Sequence, residues 1–398
     1  MNKYCSIFFY EGCIGVSPTI ANMAKLLARN EYLVTLYCTE NKYPASGELG
    51  NGVQEFYFRK GSNKLRFLKT IGLKTWLPFL QQVIYNLSCL WYEHKSDRHS
   101  KFINIGVDAY GLIPALFSFY VFKQKFMFLS LEFREPQKFN KILFNLAKLA
   151  CRKAEAVIIQ DEDRFETLCQ DYDYRHPQVF YLPNSPLAEN EESPDVDRGN
   201  YFREKFNLSQ EQFPHIILQA GMIDDTVLAK PLARAFASLS NGCALVFHDR
   251  FPKSPDAPFL KSLRSINSTN LFISLEPVAY NKIDWIFSSA TINLAFYNGH
   301  NDDYTKMAKA SGKLSHSLKV GKPVLVNDLP GLRNLVEKYK CGLVIKDPSD
   351  SQEIQLAIEQ IIRDYEMYEK NARLCFEAEF DFQKEMEPIL SSMNYIIG

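Results

Sequence analysis

An alternation that runs along the chain twice constrains its fold more than any other feature of the sequence. Short apolar runs alternate with longer amphipathic stretches, the pattern of parallel sheets covered by helices on both faces. In the first series the pattern predicts strands at 5–10, 33–38, 55–58, 102–107, 126–131, 156–160 and 179–182. Between them it predicts helices at about 19–28, 77–91, 113–122, 138–153 and 164–170. The stretch from Pro186 to Asn200 is polar, acidic and almost without large apolar residues, as a linker would be. The alternation then restarts, with a short helix at 201–207 and strands at 216–219, 244–248, 271–274, 292–295, 323–326 and 342–345. A long helical pattern from Ser351 to Phe376 and a further amphipathic segment close the chain. The expectation is an α/β protein of two Rossmann-like, doubly wound domains facing a cleft. They would span 1–187 and 200–376, with a C-terminal helix in 377–398 crossing back to the first.

A length of 398 residues fits two cores better than one. A formal net charge of zero gives no support to non-specific nucleic-acid binding, which needs surplus Lys and Arg. The nine cysteines are scattered and contain no C-x-x-C pair, so they read as small buried residues of a reducing compartment. The apolar run before Glu11 is too short for a signal peptide, and Lys123, Gln124 and Lys125 interrupt the most apolar later stretch. A cytoplasmic location follows as the expectation.

In open parallel sheets, ligands bind at the carboxyl ends of strands, so those segments hold the candidates. After the first strand, Gly12 and Gly15 permit close backbone approach, although G-x-x-G is not the dinucleotide fingerprint and also fits a plain turn. Asp108, Glu132 and Glu135 follow later strands of the first half, where a carboxylate could accept a proton, cap a helix or pair with an arginine. Asp161, Glu162 and Asp163 precede a helix and read as first-turn caps; no metal site is expected. In the second half, Ser311-Gly312-Lys313 opens a helix after a strand and polar loop. Gly312, the free amides of Lys313, Leu314 and Ser315, and the Lys313 ammonium would together suit a diphosphate. The spacing is not that of a Walker loop. His248 ends a strand and is either a cleft residue or a structural one.

The stretch KLSHSLKVGKPVLVNDLPGLRNLVEKYKCGLVIKDP, together with ILQAGMIDD and YLPNSP, resembles the donor domain and domain junction of GT-B glycosyltransferases, particularly the retaining family four group. That resemblance implies a nucleotide-sugar donor, a UDP-sugar first among them, with Gly221 near the diphosphate and Pro277 to Tyr280 near the base. It also implies transfer to a hydroxyl acceptor with retention of configuration and no cofactor beyond the donor. The sequence departs from the family where its two glutamates would stand, at Ala308 and His316, and at Met222, so Arg250 or Lys230 is expected to supply a missing cation. The acceptor could be a glycan, a lipid-linked glycan or a protein. The basic stretch 59–74, with its interleaved apolar residues, suits either peripheral contact with an anionic membrane or a solvated face. A nucleotide-sugar epimerase on the same fold and a non-catalytic glycan- or partner-binding subunit stand as alternatives.

Overall fold

A computed structural model describes residues 2–10, 14, 17–39, 49–58, 85–89, 91, 101–133, 141–188, 199–239, 242–300 and 302–398. The chain separates into two compact units, 1–183 with 383–398, and 184–382. The boundary falls a few residues before the acidic stretch expected to be the linker.

Unit 1 is built on a 7-stranded sheet of β1 (Lys3–Phe9), β2 (Tyr32–Thr39), β3 (Val53–Phe58), β4 (Lys101–Val107), β5 (Lys125–Leu129), β6 (Val157–Ile159) and β7 (Val179–Tyr181). The order is β3-β2-β1-β4-β5-β6-β7, and every neighbouring pair is parallel. The strand order therefore reverses between β1 and β4. The helix Asp108–Phe122 crosses tightly over this point, because a side chain at Gly111 would collide with the Phe8 carbonyl. That helix starts five residues before its expected first residue, 113, and carries Pro114 in its interior.

Unit 2 has a 6-stranded sheet of β8 (His215–Gly221), β9 (Cys243–Asp249), β10 (Leu271–Ser274), β11 (Ile292–Ala295), β12 (Val324–Asn327) and β13 (Gly342–Ile345). Its order, β10-β9-β8-β11-β12-β13, is again parallel and reverses between β8 and β11. Both faces are covered, as parallel sheets require. Ile217, Leu245, Phe247 and Leu325 pack into one apolar cluster. Their neighbours Ile216, Leu218, Ala244 and Val246 pack into a second, and Val324 and Val326 into a third.

All thirteen expected strands are present, with ends shifted by a few residues. The long helical pattern after Ser351 proves to be two helices, Ser351–Arg363 and Tyr365–Glu379, followed by Phe382–Ile397. Residues 383–398 group with unit 1: Tyr32 donates to Asn394 at 3.0 Å, and Met386, Ile389 and Met393 are fully buried. No helix among the described residues is long and apolar enough to cross a membrane.

Candidate functional site

The helix Gly312–Lys319 sets the geometry of unit 2 at the switch point of its sheet. Ser311 is its N-cap, and the Ser311 hydroxyl accepts the Leu314 amide at 3.2 Å. The Ser315 amide bonds the Ser311 carbonyl at 3.1 Å. This corrects the expectation of three outward amides: Leu314 and Ser315 are engaged, and the amides without an acceptor inside the helix are those of Gly312 and Lys313. Ser311, Leu314 and Ser315 are buried, so what they supply is the cap. Gly312 is half-buried, and a Cβ there would meet the Asn184 amide nitrogen at 3.5 Å, an ordinary van der Waals contact.

Asn184 holds this segment in three places. Its backbone N–H donates to Lys309 at 2.8 Å, its side chain donates to the Ala310 carbonyl at 3.1 Å, and its carbonyl accepts the Ser315 hydroxyl at 2.9 Å. The helix start is thus built by a residue distant in sequence.

Lys313 turns back over the sheet. Its Nζ lies 3.4 Å from the Phe296 carbonyl oxygen and 4.3 Å above the Tyr297 ring. Oriented by its hydrogen bonds, the Gln219 amide donates to Leu294 at 3.0 Å and presents its oxygen to Lys313 Nζ at 2.8 Å. Gly221 closes this group. Its φ of +116° favours glycine, and a Cβ there would point at Lys313, 3.9 Å from Nζ. The Arg250 amide donates to the Gly221 carbonyl at 2.9 Å, which brings Arg250 to the same strand ends. Burial, and then the Arg250 charge, push the Lys313 ammonium down to about 7, with Asp224 partly opposing them. No salt bridge reaches Lys313 among the described residues, so an unneutralised cation stands where the strand order reverses.

Tyr297 completes the scaffold. Its hydroxyl meets the Ser311 hydroxyl at 2.5 Å, and its backbone exchanges two hydrogen bonds with the Asn327 amide, at 2.9 and 2.8 Å. Further along the helix, His316 Nδ1 bonds Asp284 at 3.2 Å, and Lys319 bonds the other carboxylate oxygen at 2.8 Å. Burial pushes the Asp284 carboxyl up, but His316 and Lys319 more than reverse this and hold it well below the usual range. The Phe287 ring stacks on His316 at 5.3 Å and Tyr280 meets it edge-on at 5.8 Å, so Tyr280 does reach this helix. Pro277 is half-buried in the loop before Tyr280.

The structure does not bring His248 to this group. Its ring is 1% exposed, bonded through Nδ1 to Ser274 at 2.9 Å and packed edge-on against Phe202, and burial pushes its pKa down to about 4. Lys230 lies over the Phe259 ring at 4.6 Å, so Arg250 is the second cation at the Gly221 loop.

In unit 1 the matching switch point carries Asp108, whose side chain does not cap its own helix. Its Oδ1 accepts the amides of Leu131 at 2.7 Å and Glu132 at 3.0 Å, which ties the loop after β5 to the end of β4. Burial pushes the carboxyl up to about 7, against the opposing pull of those amides. The same loop is held by buried Arg164, which donates to Leu131 at 2.8 Å and covers the Phe133 ring at 4.2 Å. Asp108, Ser130 and Glu132 border a cavity of about 10 Å³, room for one water. The Glu132 side chain is exposed. Asp161 caps the helix Glu162–Tyr172 by accepting the Arg164 amide at 2.9 Å. Gly12, Gly15, Glu135 and the basic stretch 59–74 lie outside the described residues.

Sequence reasoning missed Gln219, Tyr297, Asn184 and Asp284. The one available signal was a lone amide inside the apolar run of the strand IILQAG.

Comparison with known proteins agrees with this architecture. The model of the family described as glycosyl transferases group 1 matches residues 313–374, a span that begins at Lys313. No curated protein matches the chain. Among solved structures, sucrose-phosphate synthase from Thermosynechococcus elongatus is 14% identical, covering 100% of this chain and 99% of its own, with a TM-score of 0.70. HepE of Anabaena in complex with UDP is 13% identical over 99% of this chain and 100% of its own, with a TM-score of 0.70. The UDP-forming α,α-trehalose-phosphate synthase of Burkholderia xenovorans, in complex with glucose-6-phosphate, is 9% identical over 99% and 100%, with a TM-score of 0.67. The chain has the two-domain α/β fold of these structures, the GT-B fold.

Proposed function

We propose that unit 2 binds a nucleoside-diphosphate sugar and that the protein transfers the sugar to a hydroxyl acceptor. The observation that carries this reading is Lys313: an ammonium with no salt-bridge partner among the described residues, in the first turn of a helix, facing Gly221 where the sheet order reverses. A diphosphate suits that position because the ammonium, the helix-start amides of Gly312 and Lys313 and nearby Arg250 all favour negative charge there. UDP is the first nucleotide to test, since HepE of Anabaena and related structures were solved with it.

In this reading the departing β-phosphate develops charge that Lys313 and the two amides are already arranged to stabilise, and in many enzymes such preformed charge stabilisation contributes more to the rate than anything else. The same ammonium supplies the charge that a metal would otherwise provide, so transfer proceeds without one. On unit 1, buried Asp108 holds the loop at Leu131 and Glu132, and the exposed Glu132 carboxylate is the group that orients an acceptor hydroxyl. Retention of anomeric configuration belongs to the same proposal, with the hydroxyl attacking the face from which the diphosphate departs and its proton passing to the leaving phosphate oxygen, as does an acceptor that is a glycan, a lipid-linked glycan or a protein. The test measures UDP released from UDP-sugars on addition of acceptors. Lys313→Ala should lower turnover by about 100-fold or more, as loss of one preorganised donor does, with the unfolding midpoint not reduced. An unchanged rate would remove Lys313 from the reaction.

A further inference from the structure

Lys313 owes its position to a neutral neighbour. Four groups surround its ammonium: the Phe296 carbonyl, the Tyr297 ring, the Gln219 amide oxygen and the backbone at Gly221. Among the described residues, Gln219 alone contributes a side-chain hydrogen bond, at 2.8 Å. It is 1% exposed in the middle of β8, and its own nitrogen is spent on the Leu294 carbonyl of β11 at 3.0 Å. The amide therefore bridges the two strands that flank the switch point. That second bond fixes which end of the amide faces Lys313, because a reversed amide would set NH₂ against NH₃⁺.

We propose that Gln219 is a positioning residue for the donor diphosphate: it aims the Lys313 ammonium while leaving its charge uncompensated for the ligand. The proposal rests on unit 2 being a diphosphate site. A carboxylate at the same place would grip the lysine more tightly, but it would cancel the charge that an anion must meet. An apolar residue would leave the charge whole, but unaimed and short of one acceptor. An amide meets both demands. Among the described residues, the other charged or titratable groups near the ammonium are Arg250 after β9, Asp224 in the loop after β8, and Tyr297 after β11. Asp224 is engaged in capping the turn Asp225–Val227, where it accepts the Thr226 amide at 3.0 Å.

The test compares the wild type with Gln219→Glu and Gln219→Leu by two readouts. One is the titration midpoint of Lys313, followed by NMR in lysine-labelled protein without ligand. The other is the affinity for UDP by calorimetry. The glutamate variant should raise the midpoint by at least a pH unit and weaken UDP binding at least tenfold at pH 7. The leucine variant should lower the midpoint and weaken binding less. A purely structural role would cost affinity in both variants without moving the midpoints in opposite directions, and that result would overturn the proposal. Equal midpoints in all three proteins would also overturn it. If the glutamate variant does not fold, the leucine variant decides: an unmoved midpoint with unchanged affinity refutes the role. A wild type that binds no UDP, with midpoints moving as expected, counts against the diphosphate reading and leaves the aiming of Lys313 by Gln219 supported.

Discussion

At the scale of single residues, Lys313 is held at a cost that a ligand can recover. Its midpoint near 7 lies below the ordinary 10.5, so between these values the unfolded chain carries a proton that the folded chain has lost. Stability therefore rises with pH across that window, and below pH 7 the penalty of burying the charge is fully present. A bound diphosphate reverses the preference by favouring the charged form. UDP affinity should fall as pH rises through 7, and binding at pH 8 should take up a proton, which calorimetry in buffers of different ionisation enthalpy can count. Lys313→Met should raise the melting temperature at pH 6, by about 2–4 °C for each kcal/mol recovered, while removing UDP binding. The places of Gly221 at a strand end and Lys313 at a helix start were legible, because the alternation of strands and helices fixes both positions; that they bind a diphosphate is the proposal above. Gln219 and Tyr297 were not legible: what a polar side chain on a strand faces depends on which strand lies beside it, and the pairing of β8 with β11 joins segments about 75 residues apart.

At the scale of elements, the Gly312–Lys319 helix is gripped at both ends, by Asn184 at its start and by Asp284 further along. Asp284 is nearly buried and shared by His316 and Lys319, so removing it strands a cation in a poorly solvated place. Asp284→Ala should cost about 3–5 kcal/mol, read as a drop in the urea midpoint of unit 2, with weakened UDP binding as the helix loosens. Strands were the most legible elements, because a buried parallel strand is a short apolar run with sharp polar ends. Helix limits were less so. Proline favours the first turn of a helix, so Pro114 pointed to a start later than Asp108, and the step at Asp364 interrupts the helix without interrupting the apolar periodicity on either side.

At the scale of the molecule, unit 1 depends on residues that follow unit 2 in the sequence. Met386, Ile389 and Met393 each bury a side chain worth about 1.5–3 kcal/mol. Deleting 383–398 should therefore destabilise unit 1 far more than unit 2, and hydrogen exchange should locate the added exchange in β1, β2 and β4 while β8, β11 and β12 keep their protection. The two-domain plan was legible from the restart of the alternation. The units divide a few residues before the polar stretch after Pro186, because that stretch marks where apolar residues stop and not where contacts divide. The ends of unit 2 meet: the Ser185 hydroxyl donates to the Phe380 carbonyl at 2.7 Å. During synthesis, unit 2 is a loop of some 200 residues, closed on itself, set into the chain of unit 1. A ribosome delivers it whole before residues 383–398, so the last helix of unit 1 is synthesised only after all of unit 2.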